Sequence, residues 1–101
     1  MPGVRLQPNE IAAIRMAAKS AFGEDVVVRL FGSRCDPARK GGDIDLHFEV
    51  ARGVATDAAV EQFEAQLFRA IDPQKVDKIF TERGSSPCIF GQIAMRDGIA
   101  L

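Results

Sequence analysis

The sequence predicts an α/β domain of the α+β kind: a small mixed sheet of three to four strands flanked by helices. Two observations carry this. The apolar residues change period several times along the chain, from helical spacing to alternation and back. The chain is also 101 residues long, with 47% apolar residues and a formal net charge of −1. That length suits a single core, so residues 1–101 read as one domain, and the composition is that of a folded chain rather than a disordered one.

The first helix is expected from Asn9 to Gly23, where Ile11, Ile14, Ala18 and Phe22 recur at spacings of three and four. Asn9 suits the capping position and Gly23 the stop. Val26 to Phe31 is a β-branched and aromatic run that ends at Gly32, and reads as a buried strand. Residues 32–42 are rich in turn formers and cations, which predicts a loop with at most one helical turn beginning at Ser33.

Asp43 to Val50 alternates without a fault. Ile44, Leu46, Phe48 and Val50 fall on one face, and Asp43, Asp45, His47 and Glu49 on the other. Thr56 to Ile71 returns to helical period, with Val60, Phe63, Leu67 and Ile71 as its stripe and Asp72-Pro73 as its stop. Lys75 to Thr81 is a third strand. Pro87 suits the first turn of a last helix that runs to Arg96, and Ile99 to Leu101 is a short extended tail.

Composition narrows the function classes. The near-neutral charge argues against general nucleic-acid binding, since no excess of Lys and Arg is present to neutralise phosphates. No apolar run reaches the roughly 18 residues of a membrane helix, and Met1 to Leu6 lacks the features of a signal peptide. A cytoplasmic chain is expected, with Cys35 and Cys88 as free thiols.

The chemistry lies in two carboxylates. Asp43 and Asp45 are two apart on one strand and project from the same face, an arrangement that is costly unless a cation sits between them. Mg²⁺ suits this pair, because it takes oxygen ligands and needs one or two protein carboxylates beside substrate phosphates. Gly32 allows close approach of a ligand to the backbone, and Ser33 and the turn after it offer donors to an anion. Arg34, Arg39 and Lys40 are cations able to neutralise a triphosphate. Asp77, in the middle of the third strand, is a third carboxylate that is expensive there unless paired or bound to a metal. His47 continues the polar face, where a hydrogen-bonded structural role is favoured over a catalytic one.

These residues, as Leu30-Phe31-Gly32-Ser33-Arg34, Gly42-Asp43-Ile44-Asp45-Leu46 and Val76-Asp77-Lys78-Ile79, resemble the signature of the minimal nucleotidyltransferases of the DNA polymerase β-like superfamily. The resemblance extends over residues 10–101, with Lys78 standing where the family often has an apolar residue. It implies a nucleotidyltransferase fold and two Mg²⁺ ions on Asp43, Asp45 and Asp77. It implies further that Gly32 and Ser33 hold the outgoing pyrophosphate, with ATP as the substrate. Small stand-alone members resemble the antitoxins of two-gene modules whose partner is a helical nuclease-type (HEPN) toxin. That similarity implies transfer of AMP to a hydroxyl of the partner protein. The alternative is a non-catalytic module that neutralises the partner by binding it. Transfer to a small-molecule hydroxyl is a third reading, weakened by the lack of a second domain.

Overall fold

The computed structural model describes residues 6–32 and 44–101. Its elements run α1 (Pro8–Phe22), β1 (Val27–Phe31), β2 (Ile44–Val50), α2 (Asp57–Ala70), β3 (Val76–Glu82), α3 (Ile89–Asp97) and β4 (Ile99–Ala100). The four strands form one mixed sheet in the order β3-β2-β1-β4. β1 is antiparallel to both β2 and β4, whereas β2 and β3 are parallel and are connected through α2. The expected α+β class is therefore the observed one.

The alternation of β2 divides the molecule. Ile44, Leu46, Phe48 and Val50 are fully buried and meet Ile14, Ala17, Ala18 and Phe22 of α1 and Phe63 and Leu67 of α2. Phe48 is the centre of an aromatic cluster: its ring lies 5.3 Å from Phe22, 5.1 Å from Phe63 and 4.9 Å from Phe80. Both long helices therefore cover one face of the sheet, and α3 lies on the other.

Several boundaries differ from expectation. The cap of α1 is Gln7, not Asn9. Gln7 and Glu10 form a reciprocal capping box, and Pro8 takes the first helical turn, where its missing N–H costs nothing. Pro87 precedes α3 rather than opening it. The cap there is Cys88, whose Sγ accepts from the Gly91 N–H at 3.4 Å. The tail is the fourth strand, with Arg29 opposite Ala100 and Leu30 opposite Ile99.

Candidate functional site

The face of the sheet that carries the predicted carboxylates is built from alternate residues of three strands. β2 contributes Asp45, His47 and Glu49, and β3 contributes Asp77, Ile79 and Thr81. β1 contributes Phe31, opposite Asp45, and Arg29, opposite His47.

Asp45 and Asp77 are register partners in the parallel β2–β3 pair. Neighbouring strands are about 4.8 Å apart, so the two carboxylates leave one face of the sheet side by side. Gly32, which directly follows β1, completes the group. Its φ of +77° belongs to the left-handed region, and a Cβ there would overlap Asp45 Oδ2 and stand 3.1 Å from Asp45 Cγ. The residue that follows β1 has no side chain where the Asp45 carboxylate lies.

Asp77 departs from expectation in its surroundings. β3 begins at Val76 and is an edge strand, so Asp77 is the second residue of the strand and is exposed to solvent. The cost of burying a charge therefore does not apply to it. Lys78 points to the other face. Its Nζ lies 3.3 Å from Glu64 of α2 and donates to the Val76 carbonyl at 3.1 Å. A lysine on an edge strand discourages pairing with another chain, and a long stem can cover the core margin while its ammonium reaches a partner. Ser33, Arg34, Arg39, Lys40 and Asp43 lie outside the described residues.

His47 shares the carboxylate face in sequence but is completely buried. Its Nε2 and Thr81 Oγ1 are hydrogen-bonded at 2.9 Å, and among the described residues Nδ1 has no partner. The cover is α3, which lies close because its inner face is small. Gly91 and Ala94 are buried, and a Cβ at Gly91 would stand 3.0 Å from Thr81 Oγ1 and 3.6 Å from His47 Nε2. Burial holds the imidazole below its ordinary value; Arg29 adds to this and Glu49 opposes it. The face is thus exposed at Asp77, half-buried at Asp45 and closed by α3 at His47.

Beyond His47 the face ends in ion pairs. Arg29 Nη1 meets Glu49 Oε1 at 3.0 Å. Arg83 bonds both the carboxylate and the carbonyl of Asp25. These charges satisfy one another and offer little to a ligand.

Among the described residues no group of three His, Cys, Asp or Glu side chains stands close enough to hold a metal ion. Asp45 and Asp77 are two hard oxygen donors, the type Mg²⁺ takes. A groove of about 490 Å³ between the start of α1 and the end of α2 is lined by Glu10, Phe68, Ile71 and Gln74, and includes neither aspartate. No helix among the described residues is long and apolar enough to cross a membrane. No family model, curated protein or solved structure matches the chain.

Proposed function

We propose that the chain is a Mg²⁺-dependent nucleotidyltransferase that moves AMP from ATP to a hydroxyl of a partner protein, in the manner of an antitoxin acting on a helical nuclease-type toxin. The observation that supports this reading is the Gly32–Asp45–Asp77 group, in which two carboxylates in register on adjacent strands are met by a side-chain-free turn. With Ser33 and Asp43 of the sequence it provides a place for phosphate beside a place for cations.

In the proposed reaction the acceptor oxygen bonds to the α-phosphorus, and the bond from that phosphorus to the bridging oxygen of the β-phosphate breaks. Pyrophosphate leaves, and the hydroxyl proton passes to the Asp77 carboxylate, which is open to solvent and able to accept it. Asp43, Asp45 and Asp77 would hold two Mg²⁺ ions, whose chemistry is neutralisation of phosphate charge and activation of the hydroxyl. Gly32 and Ser33 would receive the pyrophosphate, and Arg34, Arg39 and Lys40 its charge.

The test is incubation with Mg²⁺ and ATP labelled at the α-phosphorus, with lysate of the source cell, in parallel with γ-labelled ATP and with the Asp43→Ala/Asp45→Ala variant. The expected result is a protein band that takes up α-label but not γ-label. It requires both aspartates and disappears in EDTA. Absence of any band, with a protein still co-purifying with both forms, would replace this reading with a binding module.

A further inference from the structure

We infer that the outer face of α3 is the docking surface for the acceptor protein, an inference that rests on the transfer reading above. Ile89, Phe90 and Ile93 are 68%, 61% and 40% exposed and form one stripe, since Ile89 and Ile93 are four apart and Phe90 adjoins them. Among the described residues, α3 carries four of the five large apolar side chains that stand exposed, although it has nine residues. Met95, the fourth, lies on the opposite flank of the helix.

The stripe is also free of charge. The chain has no charged residue from Gly84 to Met95, within a sequence that is 27% charged. Arg96 and Asp97, which follow, pair with each other at 2.8 Å. Loss of charged residues around exposed aromatic and aliphatic ones marks the centre of a protein interface. The matching surface on the partner is apolar and uncharged.

Area shows that the occupant extends beyond the stripe, and position selects it. The three side chains expose on the order of 300 Å², well short of the roughly 800 Å² that each partner contributes to a stable interface. Any occupant, a second copy included, must therefore reach past the stripe to bind. α3 lies on the same face of the sheet as Asp45 and Asp77, through its contacts with His47 and Thr81. Exposed Asp77 and half-buried Asp45 stand on that face, on the same two strands that α3 covers at His47 and Thr81. A protein that docks on α3 and spreads over this face brings its own residues to the place where an acceptor hydroxyl is required.

The experiment measures α-label incorporation into the acceptor band over a dilution series of source lysate, for wild type, Phe90→Glu, Ile93→Glu and the control Met16→Glu. Met16 is 67% exposed on α1, so the control removes comparable apolar surface elsewhere. The thermal midpoint of each variant confirms folding, and sedimentation of the isolated wild-type chain reports self-association. The expected result is a half-saturating lysate concentration at least tenfold higher for the two α3 variants. Their plateau rate and half-saturating ATP concentration stay unchanged, and Met16→Glu matches wild type. Equal half-saturation for Phe90→Glu and wild type overturns the inference, and so does a wild-type dimer that Phe90→Glu dissociates. If wild type labels no protein, the transfer reading itself fails and this inference fails with it.

Discussion

Gly32 and Asp45 are fitted to each other: the residue after β1 carries no side chain where the Asp45 carboxylate of β2 lies. This fit makes Gly32 part of the carboxylate site as well as part of a turn. Gly32→Ala puts a Cβ into the carboxylate and asks an L-residue to adopt a φ of +77°, which alone costs about 1–2 kcal/mol. Urea denaturation should show a loss of at least that size. α-Label incorporation should fall further than stability does, by about 100-fold. Full incorporation in the alanine variant would show that Asp45 can move without harm.

Asp77 is exposed on an edge strand, so Asp77→Asn should leave the unfolding free energy within about 0.5 kcal/mol of wild type. A group that accepts a proton in the reaction contributes about 10²–10⁴-fold. Incorporation of label should drop within that range while the denaturation curve stays in place. Equal rates for Asn and Asp at this position would remove Asp77 from the mechanism.

Acid should weaken the fold through His47. Its pKa in the folded state lies below the value of 6.5 taken for the unfolded chain, so below that value the unfolded state binds the proton that the folded state refuses. The stabilising contribution is complete above about pH 6.5 and declines as the pH falls through the folded value. Thermal midpoints between pH 8 and pH 5, in EDTA, should fall for wild type more steeply than for His47→Gln. Parallel curves would place the acid sensitivity elsewhere.

Phe48 touches three other rings at 4.9 to 5.3 Å and is fully buried. Phe48→Ala should cost about 3–5 kcal/mol, a large share of the roughly 5–15 kcal/mol that holds a domain of this size. Phe48→Leu should recover much of the loss. Chemical denaturation of both variants checks the order.

The Lys78–Glu64 pair is partly exposed and should be worth less than about 1 kcal/mol. Lys78→Val should therefore change stability little, leave label incorporation intact and increase self-association, because it removes the charge on the edge strand. Light scattering at rising protein concentration measures the last effect.

Much of this arrangement was legible in the sequence because strands and helices have different periods. The alternation from Ile44 to Val50 separated the core face from the carboxylate face, and the stripes of α1 and α2 identified the residues that meet it. The pairing of Asp45 with Asp77 was less legible, since register between strands about thirty residues apart is set by packing rather than by local pattern. His47 has the alternation of an open polar face, yet α3 closes it. Gly91 and Ala94, three apart on the helix, are the sequence sign of that close approach. The sequence places Asp77 in the middle of a strand; that it is exposed follows from strand order, which makes β3 an edge and is not written in β3 itself. β4 has two residues, too few for any period to show.

The strand order also ranks how readily the two carboxylates part. β2 is hydrogen-bonded along both sides and buried along its core face, so its amides should be among the last to exchange with deuterium. β3 has one neighbour and can fray at Val76 and Asp77 while β2 stays closed. Asp45 therefore belongs to the most persistent part of the fold and Asp77 to one of the least. Local opening can separate them without unfolding the chain, and a partner or ligand that bridges the two should slow exchange in β3 far more than in β2.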